Sequence, residues 1–321
     1  MAAVVDRIYQ ASPVWIQQAL VATYGAWWFK RRFGSEFHRL VQEFDARTGA
    51  SADEFRAYQQ QQLGRLFERA ARSEHYAPLV ASIDRGDPLA ALSQLPFLSK
   101  ETLRTSSRRL LTEHPPRGTQ VFRSSGTTGT PSEIYYSREF HALEVAIPEV
   151  RSLHWIGVTY RDRRVMFGAR KVCRWDQPKP PFWRTSPVEN MTYCSIYHLS
   201  NSNMRAYVEF LRTYRPVIVM GYPSALVTIA RFALDAGLEL PPARGVVTTS
   251  ETVTAEGRIT MERAWGSKVW DRYGAVEGCM FASQCESGRY HVAPDVGIIE
   301  VVDAAGRPCA PGVIGEVVAT G

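Results

Sequence analysis

Residues 124–131 combine hydroxyl side chains with two glycines, which are the residue types that can surround a phosphate group. The octet consists of Ser124, Ser125, Gly126, Thr127, Thr128, Gly129, Thr130 and Pro131. Glycine permits backbone angles that turn successive N–H groups toward one point, and Ser and Thr hydroxyls add further donors. Strand-like runs at 119–123 and 132–136 flank the octet. We therefore predict a loop that binds a polyphosphate, with a plain polar hairpin tip as the alternative.

The octet differs from the common P-loop of nucleotide-hydrolysing enzymes. That loop has the form G-x-x-x-x-G-K-[ST] and leads directly into a helix. Here Gly126 and Gly129 are too close together, no Lys-Ser or Lys-Thr pair follows, and a strand rather than a helix comes next. The spacing and the context therefore exclude the P-loop class.

The bulk composition limits the partners of the chain. Its 321 residues are 45% hydrophobic, enough to bury at least one large core, and a net charge of +6 favours anionic partners. The basic residues are spread along the chain without a nucleic-acid-binding motif, so we expect no nucleic acid partner.

Five cysteines without an export signal favour a reducing, cytoplasmic setting over a disulfide scaffold. Whether the protein forms a homodimer is left open.

The segment Pro13–Phe29 is the most apolar window near the start of the chain. Gln17 and Gln18 interrupt it, and the basic triplet Lys30, Arg31 and Arg32 follows. The segment is too polar and too short to cross a bilayer, so we expect no membrane insertion. We predict a helix packed on the body of the protein, with a helix lying on a membrane surface as the alternative.

The hydrophobic pattern predicts an α/β fold. We expect a helical region over 1–105, an α/β core with a mainly parallel sheet covered by helices over 106–280, and a small distorted sheet or barrel over 281–321. Predicted strands are 119–123, 132–136, 164–168, 217–220, 244–249 and 268–271. Predicted helices are 138–156, 202–213, 222–236 and 254–264, and 174–186 is predicted to be a long loop.

Several motifs follow one another in an order that resembles the adenylate-forming ligases, most closely the phenylacetate–CoA ligase-like branch. After the octet come Gly221-Tyr-Pro-Ser224, Thr249-Ser-Glu251, Tyr273-Gly-Ala-Val-Glu277 and Gly315-Glu-Val-Val-Ala-Thr-Gly321. The resemblance covers nearly the whole chain. It implies the large N-terminal domain of an enzyme that uses ATP to activate a carboxylic acid.

The resemblance also implies roles for individual residues. Ser124, Ser125, Gly126, Thr127, Thr128 and Gly129 would hold the phosphates of ATP, and Thr127 would act in catalysis. Ser250 and Glu251 would lie beside the adenine, and Tyr273 and Gly274 would flank the adenine and the acyl pocket. Glu277, also catalytic, would hold Mg²⁺, a cation that prefers a carboxylate together with phosphate oxygens. Tyr222, Pro223, Ser224 and Ala275 would border the acyl pocket.

The implied reaction needs no conspicuous catalytic triad. A carboxylate substrate is already ionised at neutral pH, so the site has to supply alignment and stabilisation of phosphate charge. We expect an aryl or other bulky carboxylic acid as the substrate and CoA as the acceptor. An amine or alcohol acceptor is one alternative, and a non-catalytic module that binds a nucleotide or a partner protein is another.

The chain departs from the resemblance in two ways. Many relatives have Lys where this chain has Thr130, and Arg123 or Arg138 are candidates to replace that charge. The sequence given stops at Gly321, before the segment that in complete relatives carries a ribose-binding Asp, a hinge and a small domain with a catalytic Lys. We therefore expect this chain to bind ATP or acyl-adenylate weakly and to form adenylate slowly or not at all.

Cys279, Cys285 and His291 have the spacing C-x₅-C-x₅-H. Zinc prefers such ligands, although the spacing is not that of a standard zinc finger. Some members of the resembled family place a Cys and a His at positions equivalent to Cys285 and His291. The resemblance therefore makes these two residues candidate zinc ligands, with cysteines that bind no metal as the alternative.

Overall fold

The structure is a computed structural model that describes residues 2–123 and 132–321, and the side chains of 6–122 and 132–321. The described chain forms two units. The first, here called the sheet unit, comprises Met1–Gly34, Pro148–Tyr273 and Ser283–His291. The second, here called the hairpin unit, comprises Ser35–Ile147, Gly274–Ala282 and Val292–Gly321.

The helices of the described chain are concentrated in its first third and between the strands of the main sheet. They are α1 Ala2–Ala11, α2 Val14–Arg32, α3 Ser35–Ala46, α4 Ala52–Ala70, α5 Ala77–Ala81, α6 Pro88–Leu92, α7 Lys100–Thr105, α8 Arg138–Pro148, α9 His154–Ile156, α10 Met204–Tyr214, α11 Pro223–Asp235 and α12 Ala255–Trp265. Short 3₁₀ turns occupy Ser107–Leu110 and Ile196–His198, and a π-helical turn occupies Glu149–Leu153. No helix in the described ranges is both long enough and apolar enough to traverse a bilayer.

The strands form one large sheet and two small ones. They are β1 Gln120–Arg123, β2 Glu133–Tyr136, β3 Arg164–Gly168, β4 Trp183–Ser186, β5 Met191–Ser195, β6 Ile218–Gly221, β7 Gly245–Thr249, β8 Val269–Gly274, β9 Phe281–Gln284, β10 Tyr290–Val292, β11 Ile298–Val302 and β12 Glu316–Thr320. The large sheet has eight strands in the order β10-β9-β8-β7-β6-β3-β5-β4. β1 pairs with β2 and β11 pairs with β12, each in antiparallel register.

The centre of the large sheet is parallel, and its strands are buried. β5, β3, β6, β7 and β8 run parallel, and the edge strand β4 is antiparallel to β5. Val165, Val219 and Val246 on three of these strands are fully buried in the core. On α11, Leu226 and Ile229 are buried in the same core, so this helix covers the sheet. Such near-continuous apolar strands are typical of parallel sheets between helices.

A separate small core lies in the hairpin unit. Leu63 and Phe67 of α4 pack with Val80 of α5 and Ala91 of α6. The start of α4 is a capping box, in which the hydroxyl of Ser51 accepts from the backbone N–H of Glu54 and the carboxylate of Glu54 accepts from the backbone N–H of Ser51. This arrangement satisfies backbone donors that the helix itself leaves open.

The predicted α/β fold with a mainly parallel sheet is confirmed, and one local prediction was wrong. Residues 174–186 are not loop throughout, because Trp183–Ser186 forms β4 and pairs with β5. The predicted helix 138–156 is helical over its whole length, although a π-helical turn at Glu149–Leu153 separates α8 from α9. Proline has no N–H to donate within a helix, and a π-helical turn begins directly after Pro148.

Candidate functional site

The carboxyl ends of the central strands are aligned by their register. Phe167 on β3 is paired with Gly221 on β6, Gly221 with Thr248 on β7, and Thr248 with Asp271 on β8. Residues that follow these positions therefore emerge at one edge of the sheet. In open α/β sheets this edge is where ligands bind.

The end of β6 lies unusually close to β3. A Cβ atom added to Gly221 would lie 2.5 Å from the backbone oxygen of Phe167, so only glycine permits this approach. The next residue, Tyr222, donates its backbone N–H to the same oxygen at 3.0 Å. Tyr222 is half-buried and packs against the main core, and Pro223 is buried at the first position of α11. The sheet thus fixes where the predicted acyl-pocket segment begins.

The end of β7 holds Glu251 in a defined position. Ser250, between the strand and Glu251, has a φ of 71°, in the left-handed region that side chains rarely adopt. The Glu251 carboxylate accepts from the backbone N–H of Ser224 at 2.9 Å and from its hydroxyl at 3.1 Å. The N-cap residue of α11, Tyr222, provides no side-chain cap, so Glu251 serves as the cap instead.

This cap determines whether the first turn of α11 can bind an anion from outside the protein. A helix N-terminus attracts anions through its free N–H groups and its dipole. In α11, the backbone N–H and the hydroxyl of Ser224 already bind the carboxylate of Glu251. The first turn of α11 is therefore occupied by Glu251 rather than open to a phosphate.

The end of β8 presents an exposed aromatic ring above a buried polar network. Tyr273 is 54% exposed at the strand terminus. Two residues earlier, the buried carboxylate of Asp271 accepts from the hydroxyl of Thr248 at 2.5 Å and from the hydroxyl of Tyr290. The network satisfies the buried Asp271 and ties β8 to β7, while the ring of Tyr273 offers a flat apolar surface for stacking.

A buried charge cluster beneath this edge was not predicted from the sequence. The Arg272 guanidinium donates to the hydroxyl of Ser152 in the π-helical turn at 2.8 Å. Burial lowers the pKa of Arg272 to about 10, against the opposing effect of Glu149. Burial also raises the pKa of Glu149, while His154 and the backbone N–H of Tyr160 act in the opposite direction. The sequence carries no signal for this cluster, because a π-helical turn has no sequence signature.

The hairpin unit carries the strands that flank the octet. β1 and β2 are antiparallel, and Arg123 is paired with Glu133 across the hairpin. The predicted phosphate-binding residues Ser124, Ser125, Gly126, Thr127, Thr128 and Gly129 lie outside the residues that the structure describes. The prediction that the octet joins two strands agrees with the described strands on either side, and its role in phosphate binding stays a prediction.

Glu277 lies in a tight turn of the same unit. The backbone N–H of Gly278 donates to the oxygen of Ala275 at 3.0 Å, which closes the turn. The hydroxyl of Tyr136, at the end of β2, donates to the backbone oxygen of Val276. Tyr136 lies three residues along β2 from Glu133, a distance of roughly 10 Å at the rise of an extended strand. The turn that carries Glu277 is therefore fixed to the hairpin that flanks the octet.

Glycine is required at the end of this turn. Gly278 has a φ of +68°, and a Cβ atom added to it would lie 2.1 Å from the ring of Phe140. Phe140 itself packs edge-on against Tyr136, with ring centroids 4.5 Å apart. The Glu277 carboxylate is exposed, next to this rigid support. Its exposed oxygens fit Mg²⁺, which takes one or two carboxylates and retains several other oxygen ligands.

The predicted zinc site is not supported. Cys285 does contact His291, since a hydrogen bond joins their side chains. Among the described residues no group of three or more His, Cys, Asp or Glu side chains is arranged to hold a metal ion.

Cys285 nevertheless has an unusual environment for a thiol. Burial acts to raise its pKa, but hydrogen bonds from the backbone of Ser287 and Arg289 and the contact with His291 together lower the pKa to about 7. The thiolate is the reactive form of cysteine, so a substantial part of Cys285 is reactive at neutral pH.

Comparison with curated proteins finds a distant relative. No protein-family model matches the chain. Protein CapK of Staphylococcus aureus is 23% identical over 301 residues, a match that covers 92% of this chain and 65% of that protein.

Comparison with solved structures establishes the fold. The structure of 2-hydroxyisobutyryl-CoA ligase in the postadenylation state, with R3-HIB-AMP, has a TM-score of 0.61 at 18% identity and covers 85% of this chain and 60% of that one. The open conformation of that ligase, with 2-HIB-AMP and CoA, has a TM-score of 0.58 at 18% identity. This match covers 81% of this chain and 64% of the ligase chain. This chain spans 60 to 65% of the length of these matched proteins.

The described chain thus has the fold of the adenylate-forming ligases, with a large central sheet covered by helices. The predicted resemblance is confirmed at the level of the fold. Assignment to the phenylacetate–CoA ligase-like branch stays a prediction.

Proposed function

We propose that this protein activates a carboxylic acid with ATP to form an acyl-adenylate, and that CoA then receives the acyl group. The observation that carries the proposal is the fold shared with 2-hydroxyisobutyryl-CoA ligase over 85% of the chain. The motifs at Gly221, Thr249 and Tyr273 add support, because they lie at the carboxyl ends of adjacent parallel strands, the edge at which open α/β sheets bind ligands.

The proposed chemistry needs no general base for its first step. An oxygen of the substrate carboxylate attacks the α-phosphorus of ATP, and the bond from that phosphorus to the bridging oxygen breaks, releasing pyrophosphate. In the second step the thiolate of CoA attacks the acyl carbon and AMP leaves. The barrier of the first step is lowered by alignment and by stabilisation of charge on the phosphate oxygens.

We assign the adenine of ATP to residues at the ends of β7 and β8. Tyr273 provides an exposed ring on which the adenine can stack, and Ser250 and Glu251 lie at the end of the neighbouring strand. Glu251 acts through Ser224, since its carboxylate caps the helix that begins at the predicted acyl pocket. Tyr222 and Pro223 are fixed at the start of that helix and are assigned to the pocket wall.

We assign the phosphates of ATP to the octet and to Glu277. The hydroxyls and backbone amides of the octet, Thr127 included, are proposed to bind the phosphate oxygens. Glu277 is proposed to hold Mg²⁺, which would neutralise charge on the triphosphate and on the departing pyrophosphate. Gly274 and Ala275 lead into the Glu277 turn, and Ala275 closes that turn through its backbone oxygen.

The substrate and the acceptor belong to the proposal as well. An aryl or other bulky carboxylic acid is proposed as substrate, and an amine or alcohol remains the alternative acceptor to CoA. Because this chain spans 60 to 65% of its matched proteins, the complete reaction is proposed for the protein that contains the chain.

Calorimetric titration with two ligands tests the proposal. ATP with Mg²⁺ carries the full triphosphate, whereas benzoyl-sulfamoyladenosine mimics the adenylate and has no β- or γ-phosphate. We expect Thr127→Ala to weaken binding of ATP but not of the mimic. We expect Tyr273→Ala to weaken both by about tenfold, since stacking of a base on an aromatic ring contributes about 1–3 kcal/mol.

The control for the aromatic variant is Tyr24→Ala. Tyr24 is 52% exposed, close to the value for Tyr273, but it lies on helix α2. We expect this variant to bind both ligands as the unchanged protein does. Failure of the unchanged protein to bind either ligand would contradict the proposal and favour a module that binds a partner protein.

A further inference from the structure

Helix α2 exposes an apolar surface along most of its length. The segment from Val14 to Phe29 contains no charged residue. Four large side chains point to solvent, with exposed fractions of 72% for Trp15, 42% for Leu20, 52% for Tyr24 and 48% for Trp27. Trp15 and Tyr24 are nine residues apart, about 180° around a helix, so they lie on the two flanks of the exposed side, with Leu20 and Trp27 between them. We call these four residues the aromatic face. A surface helix normally places polar residues on its outer side, so an apolar outer side indicates an interaction surface.

The orientation of α2 is fixed by its opposite side. Gln18 accepts from the backbone N–H of Thr185 on the edge strand β4 at 2.9 Å and donates to the backbone oxygen of the same residue. A Cβ atom added to Gly25 would lie 2.0 Å from the hydroxyl of Ser186, so the helix backbone lies directly on the strand. Trp28 is buried. Rotation of α2 would break these contacts, and the aromatic face is therefore held outward.

The aromatic face is also ordered within itself. The rings of Tyr24 and Trp27 are stacked, with centroids 5.8 Å apart and planes 25° apart. The guanidinium carbon of Arg31 lies 5.7 Å from the Trp27 ring centroid. A rigid surface loses little conformational entropy on binding, which favours association.

The charge at the end of α2 indicates the class of partner. Lys30, Arg31 and Arg32 form the last turn, and no acidic residue occurs between Pro13 and Arg32. Lys30 is exposed, whereas Arg32 is half-buried and its guanidinium carbon lies 4.4 Å from the Trp28 ring centroid. Tryptophan and tyrosine beside basic residues match the interface of an anionic lipid layer, where the rings lie at the headgroup level and Lys or Arg side chains are attracted to the negative surface.

We propose that the aromatic face, together with Lys30 and Arg31, binds the protein to the surface of an anionic lipid bilayer. The helix lies in the plane of the interface, with its apolar side chains among the headgroups and upper acyl chains. This mode requires no membrane-crossing helix and is independent of the proposed ligase activity. The positive charge of Lys30 and Arg31 complements the anionic headgroups, and the apolar side chains of the aromatic face suit the interface.

Vesicle sedimentation tests the proposal. We expect the protein to sediment with phosphatidylcholine vesicles that contain phosphatidylglycerol, less with phosphatidylcholine alone, and less when salt is added. The variant Trp15→Ser/Trp27→Ser is expected to reduce binding to anionic vesicles by at least about tenfold, because it removes two large apolar contacts. Lys30→Gln/Arg31→Gln is expected to abolish the preference for anionic over neutral vesicles.

A matched control is Trp175→Ser, which removes a tryptophan that is 86% exposed and is not part of α2. This variant should bind vesicles as the unchanged protein does. Equal binding of neutral and anionic vesicles, or unchanged binding by the double tryptophan variant, would overturn the proposal. A dimer in sedimentation equilibrium would also overturn it, if the dimer does not bind vesicles and is dissociated by Trp15→Ser/Trp27→Ser. The aromatic face would then join two copies of this chain.

Discussion

The carboxylate of Glu251 accepts two hydrogen bonds from Ser224, one from the backbone N–H at 2.9 Å and one from the hydroxyl at 3.1 Å. The two residues are 27 positions apart in sequence and lie after adjacent strands of the sheet. Their contact joins the end of β7 to the first turn of α11. It therefore determines where the helix beside the predicted acyl pocket begins.

Removal of this contact should lower stability by a measurable amount. We expect Glu251→Ala to reduce the free energy of unfolding by about 1 kcal/mol, the usual effect of losing an N-terminal cap. Ser224→Ala should cost less, because the backbone N–H still reaches the carboxylate. Urea denaturation measures both. Glu239→Ala, at an exposed glutamate just after α11, is the control and should have no effect; an equal loss in control and variant would contradict the capping role.

The positive φ of Ser250 should determine how substitutions at this position change the free energy of unfolding. Ser250→Val is expected to lower the free energy of unfolding by more than about 1 kcal/mol, because a β-branched side chain is strained in the left-handed region. Ser250→Gly should leave stability unchanged or raise it, since glycine adopts this region freely. Thermal or urea unfolding distinguishes the two, and a valine variant as stable as the glycine variant would contradict the assigned conformation.

The Glu277 turn should not tolerate a side chain at Gly278. Gly278→Ala combines a strained positive φ, about 1 kcal/mol, with a clash against Phe140, about 1–3 kcal/mol. Gly288→Ala is the matched control, because Gly288 has a φ of +74° but no atom within 4 Å of the added Cβ. We expect the larger loss at Gly278 and partial recovery in Gly278→Ala/Phe140→Leu. Equal losses at the two glycines in urea denaturation would show that Phe140 does not constrain the turn.

Cys285 should be the thiol that reacts fastest near neutral pH. Its pKa of about 7 implies that alkylation by iodoacetamide rises with pH and reaches half of its maximum near pH 7. His291→Ala should move this midpoint toward the ordinary thiol pKa of 9.0. Cys173 is the internal control, because it is buried and burial raises its pKa to about 11. Mass spectrometry of the alkylated peptides measures both, and a midpoint near 9 for Cys285 in the unchanged protein would contradict the assigned environment.

Much of the sheet was predictable because its strands are short apolar runs bounded by Gly or Pro. The predicted strand 164–168 coincides with β3, the predicted 217–220 is shifted by one residue from β6, and the predicted 244–249 begins one residue before β7. β4 was missed because its sequence follows several prolines and alternates polar residues with Trp183. Its pairing with β5 is a tertiary interaction that local sequence does not encode.

The candidate site was predictable only in part. The motif order placed Tyr222, Ser250 and Tyr273 after strands, and the register aligns those strand ends. The capping role of Glu251 was missed, because it depends on a contact with a residue 27 positions away. The buried cluster of Arg272 and Glu149 depends on a π-helical turn and on burial, which spacing along the chain does not reveal.

The magnesium dependence of ATP binding tests the central claim most directly. ATP affinity is measured by titration calorimetry with Mg²⁺ and with EDTA, for the unchanged protein and for Glu277→Ala, with Glu316→Ala at the exposed start of β12 as control. We predict that EDTA weakens ATP binding by at least about tenfold in the unchanged protein and in the control, but has little effect on Glu277→Ala, which lacks the metal-binding carboxylate. The same loss of affinity on metal removal in all three proteins would contradict the account.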